Sequence, residues 1–272
     1  MQLAVLGSPI GHALSPVLHR AAYQALGLDW TYRAIDCTPD SLASFLSSLD
    51  DTWAGLSLTM PLKRTVVPLL DRASDTVVRI GAANTIVVAD GQLLGENTDL
   101  YGMTQALLEA GVSAAGDVTV LGAGATACTA LAAARELGCV QATVIARDTE
   151  RARLVLEQAA EEIGIKIRIT SWTEAQTHLG AELVISALPP GAADDLAPLW
   201  KPAAGTLMDV LYQPWPTPLA CAAAKAGRRV IGGLPMLVHQ AARQVALQTK
   251  CSRLPYGEML TAARSAVHQL NT

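Results

Sequence analysis

The run Gly122-Ala123-Gly124-Ala125-Thr126-Ala127 follows the apolar residues 118–121 and leads into an Ala-rich stretch that ends near Leu137. Glycine-x-glycine-x-x-alanine between a β-run and a helix-forming run builds a phosphate cradle. Gly122 permits the tight turn, Gly124 lets the backbone approach a pyrophosphate, and the small Ala127 allows close packing of helix on strand. Amides of the first turn, at Ala125 and Thr126, add donors and the positive end of a helix dipole. About 20 residues on, a second β-run ends Ile145-Ala146-Arg147-Asp148-Thr149. A carboxylate there would hold the ribose hydroxyls of NAD, and a cation the 2′-phosphate of NADP. Arg147, with Arg151 one helical turn further, favours NADP over NAD, and Asp148 reads as the N-cap of the next helix. Residues 118–147 therefore form a βαβ dinucleotide unit and predict an NAD(P)-dependent oxidoreductase.

Three polar clusters lie upstream: 55–63, with Lys63 two residues after Pro61, then 81–85 and 95–99 on either side of the hairpin-like TIVVADGQLLG. Alone, a lysine in that position is a solvated helix-start residue; the two neighbouring clusters give it another meaning. The elements that must position these groups show in the apolar rhythm. Strand-like runs at 3–6, 31–35, 55–59 and 85–88 alternate with helical spacing at 17–25 and 41–49. A helix-like segment from Tyr101 to Ala110 precedes six more short strands, at 118–121, 142–146, 167–169, 183–186, 207–210 and 229–231, the rhythm of a doubly wound parallel sheet. The tail 236–270 reads as helices broken near Pro255 and Gly257. The fold class is α/β in two domains: an α/β substrate domain and a doubly wound Rossmann-type NADP domain, with a cleft between them.

Composition narrows the functions available. Twenty basic and twenty-four acidic side chains give a net charge of −4 with no cationic block, which disfavours nucleic acid as a partner. Five cysteines, at 37, 128, 139, 221 and 251, form no CxxC pair and no even set, as expected of free thiols in the cytoplasm. The N-terminus has no basic n-region and breaks at Gly7 and Pro9, unlike a signal peptide. The uncharged run 118–134 is too short and too rich in Gly, Ala and Thr for a membrane span. Five histidines show no metal-ligand spacing, so no metal is implied, and His12 and His239 read as structural hydrogen-bonding residues.

Together with GSPIGHALSP (7–16), DVLYQPWPTPL (209–219) and GLPMLVHQAA (233–242), the three clusters resemble the shikimate dehydrogenase family over the length of the chain. The resemblance implies a substrate domain of residues 1–103 and 237–272 and an NADP domain of residues 104–236. It makes Lys63 and Asp99 the catalytic pair at the hydroxyl that is oxidised. It gives Ser15, Thr59, Asn84, Tyr212 and Gln240 to the substrate, and Ser186, Gly233 and Met236 to the cofactor beside the glycine turn and Arg147. Activity would be the reversible NADP-dependent reduction of 3-dehydroshikimate to shikimate, in a monomer or homodimer. Two departures bear on the substrate: the family's Ser-x-Ser clamp reads Ala13-Leu14-Ser15, and Ser57 stands where the family more often has Asn. Losing one hydrogen bond to a carboxylate costs about 1.5–3 kcal/mol unless another donor replaces it. A dehydrogenase of quinate or a related polyol carboxylate is therefore the alternative. A non-catalytic dinucleotide sensor would have no use for Lys63 and Asp99, and a methyltransferase would want an acid where Arg147 leads.

Overall fold

The computed structural model describes residues 1–11 and 13–270, so the expectation for His12 lies outside the described residues. The chain divides into two compact units, Met1–Gly102 with Leu237–Thr272, and Met103–Met236.

The first unit begins β1 (Gln2–Gly7), α1 (Ser15–Ala25), β2 (Thr31–Asp36), α2 (Pro39–Ser47), β3 (Trp53–Leu58), α3 (Leu62–Thr65), β4 (Arg72–Ala73), α4 (Asp75–Ile80), β5 (Thr85–Ala89), β6 (Gln92–Glu96) and α5 (Asp99–Glu109), whose last turns belong to the second unit. The strands form one sheet in the order β2-β1-β3-β5-β6-β4. Leu3, Ala4 and Leu6 of β1 are buried completely, as a strand covered on both faces requires. β1 runs parallel to β2 and β3, but β5 is antiparallel to both β3 and β6, so the β/α alternation of the first hundred residues yields a mixed sheet. The hairpin between β5 and β6 turns at Asp90-Gly91, both at positive φ, the conformation of a tight hairpin turn. β4 is a two-residue strand paired with β6, too short for any periodicity to reveal. Leu42, Leu56, Leu58, Leu62 and Val66 join α2, α3 and the sheet in one core, each stabilising the fold by about 1.5–3 kcal/mol.

The second unit adds β7 (Val118–Leu121), α6 (Ala125–Glu136), β8 (Gln141–Ala146), α7 (Thr149–Ile163), β9 (Lys166–Ser171), α8 (Ala175–His178), β10 (Leu183–Ser186), β11 (Thr206–Asp209), α9 (Pro218–Lys225) and β12 (Arg229–Ile231). Its sheet, β12-β11-β10-β7-β8-β9, is parallel throughout. The chain winds outward from β7 through β8 to β9 and then returns to β10 on the other side of β7. The carboxyl ends of β7 and β10 are thus the switch point at which such sheets bind ligands. The chain closes with α10 (Gly233–Thr249) and α11 (Tyr256–Leu270), and α11 packs on α1. The break between them spans 250–255, with Lys250 at positive φ; Gly257 lies inside α11, so the break ends at Pro255 rather than at the glycine. No helix among the described residues is long and apolar enough to cross a membrane.

Candidate active site

In the first unit, β3 ends at Leu58 and the chain turns at once. The Thr59 amide donates to the Leu6 carbonyl (2.9 Å) and the Leu62 amide to the Thr59 carbonyl (2.8 Å), which starts α3 and sets Lys63 in its first turn. The Ala83 amide donates to the Lys63 carbonyl (2.8 Å), tying α3 to the 81–85 cluster. Asp99 opens α5, where the helix dipole favours a carboxylate. Lys63 Nζ lies 2.6 Å from Asp99 Oδ2, with the lysine side chain 17% and the aspartate side chain 7% exposed. Burial of this degree strengthens the pair over a surface one.

Asn84 organises the rest. Its Oδ1 accepts from the Thr98 amide (2.8 Å) and the Thr85 hydroxyl (2.8 Å). Its Nδ2 therefore faces Asp99 Oδ1 (2.9 Å), Thr98 Oγ1 (3.0 Å) and Gln240 Oε1 (3.1 Å). Asp99 is held at both oxygens, one by Lys63 and one by Asn84. Lys63, Asp99, Asn84 and Gln240 thus come together, Gln240 from 141 residues beyond Asp99 along the chain. Thr59 is half-buried four residues before Lys63. Ser15, at the start of α1, is buried and hydrogen-bonded to the Tyr32 phenol.

Behind this cluster lies a polar layer of which the sequence singled out only Ser57. The Tyr32 hydroxyl donates to Ser57 Oγ (2.7 Å), and Ser57 donates to Gln244 Oε1 (2.9 Å). His19 Nε2 is 3.1 Å from the same oxygen, its Nδ1 is 3.1 Å from the Tyr23 hydroxyl, and its ring stacks on Tyr32. Burial pushes the His19 pKa down to about 3, against the opposing pull of the Gln244 hydrogen bond, and burial pushes the Tyr32 and Tyr23 phenols up. The signal for this layer was the four-residue spacing of Gln240, Gln244 and Gln248.

In the second unit, Gly122 adopts φ +104, and a Cβ on it would lie 3.2 Å from the Ala187 carbonyl oxygen, so the turn takes only glycine. Gly124 is the N-cap of α6, and a Cβ there would meet nothing within 4 Å. The backbone is therefore open at the point where Ala125 and Thr126 begin the helix, as a pyrophosphate cradle requires. Ala127 is fully buried. At the end of β8, Asp148 caps α7, accepting from the Arg151 amide at 2.9 Å. Arg147 is exposed, 5.9 Å above the Trp172 ring, and Arg151 is exposed on the first turn of α7. The carboxylate is engaged by its own helix while the cations face outward, an arrangement that fits a 2′-phosphate better than bare ribose hydroxyls.

Ser186 is 1% exposed and hydrogen-bonded to Asp209, which also accepts from the Thr217 hydroxyl (2.8 Å) and the Leu211 amide (3.2 Å). Burial raises the Asp209 pKa against these bonds. Ser186 thus shapes the end of β10 from within rather than offering a free hydroxyl. Gly233 donates its amide to the Leu211 carbonyl (2.9 Å), and its Cα is pressed so closely on Val210 that a side chain would collide with backbone. Tyr212 is half-buried in the loop after β11, and Met236 is buried on α10.

The model described as the shikimate dehydrogenase substrate binding domain matches residues 5–86. A shikimate dehydrogenase (NADP(+)) of Synechococcus sp. (strain JA-3-3Ab) is 33% identical over 98% of this chain and 94% of its own. The crystal structure of Mycobacterium tuberculosis shikimate dehydrogenase superposes with a TM-score of 0.87 at 35% identity, covering 97% of this chain and 99% of that one. Quinate dehydrogenase from Corynebacterium glutamicum, solved with NAD, gives 0.87 at 27% identity over 97% and 99%. With a third of its residues shared over nearly its whole length, and the substrate-domain signature falling within its first unit, the chain belongs to the shikimate dehydrogenase family.

Proposed function

We propose that this protein is an NADP-dependent shikimate dehydrogenase, interconverting 3-dehydroshikimate and shikimate by moving a hydride and a proton at one ring carbon and its oxygen. The observation that carries the reading is the 2.6 Å Lys63–Asp99 pair, held at its second carboxylate oxygen by Asn84. In the reducing direction the Lys63 ammonium gives a proton to the carbonyl oxygen, and oxidation returns it from the hydroxyl to the neutral amine. Asp99 fixes the position of Nζ and accepts a hydrogen bond from the same hydroxyl. Thr59, Asn84, Gln240, Ser15 and Tyr212 orient the remaining substrate oxygens. NADP, when bound, supplies or accepts the hydride. Gly122, Gly124 and the amides of Ala125 and Thr126 would hold its pyrophosphate, Arg147 and Arg151 its 2′-phosphate, and Gly233 and Met236 its nicotinamide end. Residues 1–103 and 237–272 bind substrate and residues 104–236 bind NADP, in a cytoplasmic enzyme that is monomeric or homodimeric.

Replacing Lys63 by Ala is expected to lower kcat by about 10²–10⁴-fold, the usual worth of a positioned proton donor, while NADP binding measured by fluorescence stays within about twofold. Turnover that survives the substitution sinks the mechanism. A second reading, a quinate-type dehydrogenase, is favoured by Ala13 and by the likeness to the quinate enzyme. Initial rates with shikimate and quinate, each with NAD and NADP, decide between them.

A further inference from the structure

Gln240, Gln244 and Gln248 recur every fourth residue along α10 and are all buried, so their amides form one row on the face turned to β3 and β5. The far end of the row is scaffold. Gln248 Nε2 lies 3.2 Å from the Leu56 carbonyl and 3.3 Å from that of Ile86, residues that face each other across the β3–β5 ladder. Gly55 makes room for it, since a Cβ there would stand 2.9 Å from Nε2. Gln240, at the near end, touches Asn84 directly.

Gln244 sits between them and does something neither neighbour does. Its Nε2 is 3.2 Å from the Asn84 carbonyl and 3.1 Å from Thr85 Oγ1. A backbone carbonyl can only accept, so this contact fixes which end of the amide is nitrogen. Oε1 must then accept from Ser57 and from His19 Nε2. On the other side, the Thr85 hydroxyl accepts from Gln244 and donates to Asn84 Oδ1. That bond, with the one from the Thr98 amide, holds the Asn84 amide so that Nδ2 rather than Oδ1 meets Asp99. The reversed amide would set a carbonyl oxygen against a carboxylate.

We propose that Gln244 is a positioning residue for proton transfer: by ordering the Thr85 hydroxyl it locks Asn84 in the orientation that donates to Asp99, and so holds the carboxylate that carries Lys63. This inference rests on the assignment of Lys63 as the proton-transfer group. The test is steady-state shikimate oxidation with NADP by the full-length protein, its Lys63→Ala, Gln244→Met, Thr85→Val and Gln248→Met variants, and the Gln244→Met/Thr85→Val double variant. Losing one link of neutral hydrogen bonding in the network is worth roughly two- to tenfold. Gln244→Met and Thr85→Val are each expected to lower kcat about fivefold, with KM for NADP unchanged. The double variant should be no slower than the slower single one, because both cut the same link. Gln248→Met should melt earlier yet keep kcat within about twofold of the parent, as scaffold would. If Gln244→Met does not fold, the nearly isosteric Thr85→Val decides the case by itself. An unchanged kcat in Gln244→Met or Thr85→Val, multiplying losses in the double variant, or an equal kcat loss in Gln248→Met overturns the proposal while leaving a Lys63-dependent enzyme intact. Turnover that survives in Lys63→Ala overturns the assignment of Lys63, and this inference with it.

Discussion

His19 has no exposed surface, so its imidazole cannot gain a proton without losing hydration that nothing in the layer replaces. Its tautomer follows from its neighbours: Gln244 Oε1 accepts from Nε2–H, which leaves Nδ1 to accept from the Tyr23 hydroxyl. With the folded pKa pushed down to about 3, the unfolded chain takes up a proton below its ordinary value of 6.5 while the native protein does not. The unfolded state therefore binds more protons throughout that window, and stability falls as pH drops through it, by about 1.4 kcal/mol per pH unit at most. Urea unfolding at pH 7.0, 6.0 and 5.0 should show this loss in the parent and a shallower one in His19→Gln. Parallel slopes for the two proteins would mean that the folded ring takes up its proton over the same pH range as the unfolded one. A second residue-scale expectation concerns Asp99. Asp99→Asn keeps the shape but removes the charge facing Lys63 Nζ at 2.6 Å. It should lower kcat for shikimate by about 10²-fold, within the range proton-transfer groups contribute, with KM for NADP the same in parallel initial-rate assays.

At the scale of elements, Asp148 shows how one side chain can be read in two ways and decided by a helix start. Its carboxylate accepts from the Arg151 amide, so its work is to cap α7. Asp148→Ala is expected to cost about 1 kcal/mol in stability without moving the ratio of NADP to NAD efficiency, whereas Arg147→Ala should move that ratio and leave the melting temperature alone. A shift of cofactor preference in Asp148→Ala would show that the carboxylate reaches the ribose. The same elements explain what could be read beforehand. β7 and β10 are buried on both faces, so they stand out as short, mostly apolar runs, VTVL and LVIS, and the glycine turn between β7 and α6 needs Gly122 for its positive φ. Short or exposed pieces did not stand out. β4 is two exposed residues recognisable only by their pairing with β6, and Gly257 carries no sign of whether it ends a helix or lies within one. In the site, Lys63, Asp99 and Asn84 fall in clusters visible along the chain, but the contacts of Gln244 with Ser57, 187 positions away, exist only once α10 lies across β3 and β5. Local pattern shows what an element is, and long-range placement shows what its polar face meets.

For the whole molecule, the units differ in continuity. Residues 103–236 carry a complete six-stranded parallel sheet and its helices in one stretch of chain, whereas the other unit is assembled from residues 1–102 and 237–272. The C-terminal piece is interior material. Val238, Val245, Met259 and Ala263 are buried completely, α11 packs on α1, and the row of glutamines on α10 bonds to β3 and β5. Removing Val238, Val245 and Met259 alone forfeits about 1.5–3 kcal/mol each, against a total stability of order 5–15 kcal/mol for a domain. Buried Ser57 and His19 would also lose their shared acceptor, at roughly 1–3 kcal/mol for each group left unpaired. Residues 1–102 expressed alone should therefore show no cooperative thermal transition by circular dichroism, while residues 103–236 alone should melt in a single transition. Joining 1–102 to 237–272 through a flexible linker should restore a cooperative melt to the first unit. A sharp transition in residues 1–102 by themselves would mean that α10 and α11 are an appendage, and that Gln244 reaches Asn84 without helping to hold the sheet it lies on.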